Sequence, residues 1–169
     1  MDVIIIEPDD ILCEDVDNNY IVTHIVGKYD SLSDEDKKNA IVEIENCINV
    51  TDVSALKNVH TLYMSGCTGV TDVSALKNVY DLNIGECTGI TDISALTNVH
   101  TLNISHCTQI TDVSALALTN VKILNIIGCT GITDISMLIN LKELIYWYGE
   151  FPDEQLDILF DHDVTLCGH

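Results

Sequence analysis

Cysteine, histidine and aspartate are the residues of this chain that could support nucleophilic attack or metal binding. The 169 residues include seven cysteines and six histidines. A cysteine nucleophile needs a base within hydrogen-bond reach, and a zinc site needs ligands converging on one point. His106 adjoins Cys107, but adjacent residues at a strand end point apart. Cys47, Cys67, Cys87, Cys107 and Cys129 recur at one position of successive repeats and no C-x-x-C occurs, so they form a line instead of a cluster. They are expected to be a buried ladder, while Cys13 and Cys167 lie outside it, free or paired elsewhere. Of the histidines, only His60 and His100 share a repeat position, with Tyr80 between them. Asp15, Asp17 and Asn19 open like a calcium loop, yet Tyr20 and Val26 stand where such a loop needs glycine and a bidentate acid. A polar hairpin turn at Asp17 to Asn19 fits better. Thr-Asp pairs at 51/52, 71/72, 91/92, 111/112 and 133/134 precede each V-S-A-L or I-S-A-L turn and its I-S-M-L variant. Stacked carboxylates are costly unless each accepts backbone N–H bonds, so capping explains them better than a calcium rail. The sequence predicts no enzyme, no metal and no cofactor.

The element that places these residues is the repeat. TDVSALKNVHTLYMSGCTGV at 51–70 returns as TDVSALKNVYDLNIGECTGI at 71–90 and TDISALTNVHTLNISHCTQI at 91–110. A fourth unit at 111–132 carries two extra residues, best placed at Ala117 and Leu118, a fifth starts at 133, and 41–50 matches half a unit. Apolar positions follow V-x-x-L-x-[MI]-x-x-C-x-x-[VI]-x-x-[VI]-x-x-L. L-x-M is the period-two pattern of a short strand, with Leu62 and Met64 inward and Thr61, Tyr63 and Ser65 on the opposite face. One strand per unit predicts a concave parallel sheet, and the period-three remainder predicts tight turns or short 3₁₀ segments on the convex side. Asn58, Asn78, Asn98, Asn120 and Asn140 are expected in left-handed conformation at the ends of the convex turns. Gly69, Gly89 and Gly131 suggest the same conformation, though Gln109 fills their slot in one unit.

This pattern resembles leucine-rich repeats, mixing the internalin and phosphatase-regulator type in TDISAL with the cysteine-containing type in C-T-G-I-T-D. The near-identical units are similar to repeat proteins of protists and large DNA viruses. The resemblance covers about 41–148 and implies an α/β-repeat solenoid, used for protein binding, with partners that differ between members. The cysteine-containing type is often joined to an F-box, so a substrate-recognition subunit of a ubiquitin ligase is an alternative, as is a homo-oligomerising repeat protein. Residues 1–40 are short and acidic for an F-box.

Charge sharpens the partner question. The net charge is −20, with seven lysines and no arginine, which opposes nucleic-acid binding. Val3 to Ile6, between Asp2 and Glu7, is too short and acidic for a signal peptide, and no membrane span is expected. The expected setting is the cytoplasm, the host's if the source is viral. Residues 1–36 hold eleven acids and one lysine, and 149–169 hold six acids and no base. We therefore expect an acidic N-terminal cap at 1–40, repeats at 41–148 and an acidic C-terminal cap at 149–169. In the caps, Tyr20 to Val26 reads as a strand, Ser33 as a helix start, Leu156, Leu159 and Phe160 as one face of an amphipathic turn, and Val164 to Leu166 as a strand. The concave face is the expected binding surface for an unknown protein partner, with a homodimer as an alternative. Its candidate residues are Tyr63, Asp81, Asn83, Asn103, Ile123, Asn125, Ile127, Glu143, Ile145 and Trp147. Ile123, Ile127, Ile145 and Trp147 should form a contiguous apolar patch.

Overall fold

A computed structural model describes residues 4–6 and 18–169. Cys13, Asp15, Asp17 and the Pro8 region lie outside the described residues. Eight strands form one sheet in sequence order, each parallel to the next: β1 (Ile4–Ile6), β2 (Ala40–Glu43), β3 (Thr61–Tyr63), β4 (Asp81–Asn83), β5 (Thr101–Asn103), β6 (Ile123–Asn125), β7 (Glu143–Tyr146) and β8 (Thr165–Gly168). Register is unbroken, so Leu62, Leu82, Leu102 and Leu124 pair side by side. All four are fully buried, as are Met64, Ile84, Ile104 and Ile126 two residues on. Period-two patterning leaves no other register that buries both rows.

The return path on the convex side contains 3₁₀ turns at Ser54–Leu56, Ser74–Leu76 and Ser114–Leu118. Each sends one leucine (Leu56, Leu76 or Leu116) into the core. The two extra residues of the fourth unit lengthen its turn, where Ala117 is buried and Leu118 projects into solvent, 94% exposed. An insertion on the outside of a solenoid is accommodated without shifting the sheet.

Two turn assignments need correction. Asn58, Asn78, Asn98, Asn120 and Asn140 are not in the left-handed region. They stitch units together: Asn98 Nδ2 donates to Asn78 Oδ1 (2.8 Å), Asn120 Nδ2 to Asn98 Oδ1 (3.2 Å) and Asn140 Nδ2 to the Ala117 carbonyl (2.8 Å). Nor are Gly69, Gly89 and Gly131 at positive φ. Glycine at 89 serves close packing, since a Cβ there would lie 2.6 Å from the Thr68 carbonyl oxygen and 2.7 Å from that of Val70. The left-handed position is instead the turn right after each strand: Asn46, Gly66, Glu86, His106 and Gly128.

The N-terminal region departs further from its sequence reading. Tyr20 to Val26 is not a strand and no hairpin turn lies at Asn18–Asn19, because Asn18–Asp30 is helix α1. Ile21, Val22, Ile25 and Tyr29 fall on one helical face and are buried, so packing overrides the β preference of isoleucine and valine. Tyr29 fastens α1 to the first unit, its hydroxyl donating to the Asn58 carbonyl (3.3 Å) and accepting from the His60 N–H (3.2 Å). Ser33 does start helix α2 (Asp34–Asn39), its Oγ accepting from Asp36 N–H. At the other end, helix α3 (Asp153–Asp161) buries Leu159 and half-buries Leu156, but Phe160 is 71% exposed. One residue past Leu159 is a 100° turn, which carries Phe160 off the packed face. The last strand begins at Thr165 instead of Val164, which is buried beneath α3.

Candidate interaction surface

Two rows of side chains face out of the concave sheet. In register, the first runs Ile41, Thr61, Asp81, Thr101, Ile123, Glu143, Thr165 and the second Glu43, Tyr63, Asn83, Asn103, Asn125, Ile145, Cys167. A third follows at the strand ends, through Ser65, Gly85, Ser105, Ile127 and Trp147. Eight of the ten candidate residues therefore lie on consecutive strands of this face, and Ile127 and Trp147 follow just past the ends of β6 and β7.

Their roles differ. Asn83 Oδ1 accepts from Gly85 N–H (3.0 Å), Asn103 Oδ1 from Ser105 N–H (2.9 Å) and Asn125 Oδ1 from Ile127 N–H (3.0 Å). These asparagines satisfy the backbone where the chain leaves each strand, as side-chain turns. Tyr63 takes the same slot in the first unit. It lies near Glu43 and Asp81, and burial together with those two acids raises its phenol pKa above the usual value.

The apolar corner spans β6 and β7, with Ile123 in register beside Glu143 and Ile145 beside Asn125. Ile123, Ile127 and Ile145 are half-buried, and Trp147 is 43% exposed. His106 meets the Trp147 ring edge to face at 5.4 Å. Glu150 sets the turn beneath it: its two carboxylate oxygens accept from Trp147 N–H (2.8 Å) and Gly128 N–H (3.1 Å). Beyond Ile145 the face gains Cys167, whose thiol lies 3.5 Å from Glu143 Oε1. Sequence reading missed His106, Glu150 and Cys167 as parts of this corner: register brings Cys167 beside Ile145 and the stacking of units brings His106 to Trp147, while a local turn holds Glu150 to Trp147.

The opposite margin of the sheet is polar. His60, Tyr80 and His100 stack ring on ring at 5.0 and 4.7 Å. Burial raises the Asp81 carboxyl pKa, and the two imidazoles offset part of that rise. This margin is a stacked ladder at the strand starts, and among the described residues no three His, Cys, Asp or Glu side chains converge as a metal site.

The cysteine ladder is closed to chemistry. Cys67, Cys87, Cys107 and Cys129 donate to the carbonyls of Ile44 (2.8 Å), Met64 (3.1 Å), Ile84 (3.1 Å) and Ile104 (2.9 Å) in the preceding units. Burial pushes their thiols up to about 11 or 12, so none is a thiolate nucleophile at neutral pH. Cys47, one unit earlier, is disulfide-bonded.

The Thr-Asp ladder is structural as well. Asp52, Asp72, Asp92 and Asp112 each accept from the N–H of the serine two residues on at 2.8 Å, and Asp134 does so at 2.9 Å. These bonds, with those from the same serines' hydroxyls, hold the five carboxyl pKa values below 3.8, the hydroxyl bond being the larger cause at Asp112 and Asp134, although neighbouring rungs repel. A lowered native pKa contributes stability above the unfolded value that is lost as pH falls through the native one. Acid unfolding below about pH 4 is thus expected to be shallower in an Asp72→Asn/Asp92→Asn/Asp112→Asn variant, which keeps each Oδ1 acceptor. Urea midpoints from pH 5 down to pH 2 check this, and parallel curves would contradict it.

No helix among the described residues is long and apolar enough to cross a membrane. No curated protein and no solved structure matches the chain. Residues 97–142 match the family model for leucine rich repeats in two copies, a repeat family generally without catalytic activity, and no enzyme family is indicated. That segment carries β5 and β6 with their turns, the same strand, cysteine turn and convex return that recur along the sheet, and residues 97–142 belong to the leucine-rich repeat family.

Proposed function

We propose that this protein is a non-enzymatic interaction module that holds a partner protein on its concave face, centred on Trp147, Ile145, Ile127 and Ile123. The observation that supports this most directly is the placement of those side chains on or just past the adjacent strands β6 and β7, with the acid Glu143 in register beside Ile123. On and just past β4 and β5 the outward residues Asn83 and Asn103 commit their side-chain oxygens to the backbone, and Gly85, Thr101 and Ser105 are small. An apolar cluster with a partly exposed tryptophan, rimmed by polar groups, has the make-up of an interface hot spot. Strands hold Ile123 and Ile145, and the Glu150 carboxylate holds the turn at Trp147, before binding, which lowers the ordering cost.

Trp147 is the single tryptophan, so its emission reports on this surface. Affinity capture from cytosolic extract of the source or its host is expected to enrich one protein that is lost with an Ile127→Asp/Trp147→Asp variant of unchanged circular dichroism. Adding that purified protein should blue-shift Trp147 emission. An enriched protein retained by the double variant would overturn this reading. A blue shift that depends only on the protein's own concentration would assign the face to a homodimer.

A further inference from the structure

The last strand offers a second surface, independent of the concave face. β8 closes the sheet on one side only: Thr165 N–H donates to the Lys142 carbonyl (2.8 Å) and His169 N–H to that of Tyr146 (3.0 Å), while Tyr148 N–H returns a bond to the His169 carbonyl (2.9 Å). In a parallel ladder alternate residues turn both backbone groups to one neighbour. Thr165, Cys167 and His169 face β7, so Leu166 and Gly168 direct their N–H and C=O groups to the outer edge. A groove lined by Phe160, Asp163, Val164, Thr165 and Leu166 runs beside that edge. Phe160 is 71% exposed on its wall, and Tyr148, 77% exposed, stands over Gly168.

An edge with unsatisfied backbone groups and a flanking apolar groove fits an added strand. Charge selects which strand. Residues 149–169 carry six acids and no lysine or arginine. Five of the acids, Asp153, Glu154, Asp157, Asp161 and Asp163, lie on α3 or just after it. A second copy of this end would bring six more acids against them, whereas a basic segment would be attracted. We propose that β8 takes up an extended, lysine- or arginine-rich segment of a partner protein as a ninth strand, with an apolar side chain against Phe160 and basic side chains toward the acids of α3.

The probe is a synthetic eight-residue peptide alternating lysine and valine, followed by amide NMR of the full chain. The expected result is shift changes confined to the residues around α3 and β8, with slowed hydrogen exchange at the Leu166 and Gly168 amides. A control peptide of equal charge with proline in place of valine lacks alternate N–H donors and should bind at least tenfold more weakly. A Phe160→Ser variant should weaken binding several-fold while leaving thermal unfolding unchanged, since Phe160 is exposed. Trp147→Asp should leave peptide binding intact, which separates this proposal from the concave one. Equal binding of the proline peptide would reduce the effect to bulk charge and overturn strand addition. Shifts centred on Ile123 and Ile145, or protection of Leu166 that rises with protein concentration without peptide, would also overturn it.

Discussion

Iodoacetamide at pH 8 is expected to label Cys167 in the native protein while Cys67, Cys87, Cys107 and Cys129 stay unmodified until denaturant is added. Alkylation requires the thiolate. With thiol pKa values of about 11 to 12, the thiolate fraction at pH 8 is roughly 10⁻³ to 10⁻⁴. The ladder sulfurs are also sealed from solvent, at 0 to 2% residue exposure, whereas Cys167 is half-buried at the last strand. Burial, and then Glu143, raise the Cys167 thiol too, so its labelling is slower than that of a free thiol but still needs no unfolding. Peptide mass mapping over time reads the difference. Ladder labelling at the rate of Cys167 would show that the stack opens far more readily than its packing implies.

The same shifts set the alkaline limb of stability. The folded thiols titrate above their unfolded value of about 9.0, so the folded state holds protons that the unfolded chain releases. A raised native pKa contributes stability fully present below the unfolded value and lost as pH rises through the native one. Urea midpoints should therefore fall between pH 9 and pH 12. A Cys87→Ala/Cys129→Ala variant should show a shallower fall from a lower starting stability, because its neighbouring carbonyls lose their thiol donors.

Leu102→Ala is expected to cost about 3 kcal/mol, within the usual range for emptying a buried leucine site. Leu102 is fully buried on the central strand, flanked in register by Leu82 and Leu124. Each unit of a solenoid is held mainly by its two neighbours, so a cavity there weakens both interfaces and cannot be refilled from elsewhere. Asn103→Ala, one residue along but facing out, should cost only about 1 kcal/mol, the worth of its bond to Ser105 N–H. Urea unfolding of both variants tests the contrast. Equal losses would mean that the row of asparagines, and not the leucine row, carries the stack.

What the sequence determined is the part of the structure that repeats. With a 20-residue period, the inward residues Leu62, Met64, Cys67 and Val70 have equivalents at 82, 84, 87 and 90. A period-two strand followed by a period-three return has one way to bury them all, as a stack of parallel strands with turns outside. The outward rows follow from the same alternation, which is why every candidate residue could be placed on the concave face. Position within the repeat did not reveal partners between units. The asparagines of the convex turns bond to the unit before, and the left-handed turn falls in one unit on Glu86, a residue type that local propensity would not choose. Outside the period, local preference misled: Tyr20 to Val26 is rich in strand formers, yet contact with the first unit makes it helix. Tertiary structure alone decided what surrounds Trp147. His106, Glu150 and Cys167 lie 41 positions before it, three after it and 20 after it. His106 and Cys167 reach this corner because parallel stacking converts sequence separations of about one or two repeats into nearby strands, a relation no local pattern encodes, while Glu150 reaches it through a local turn.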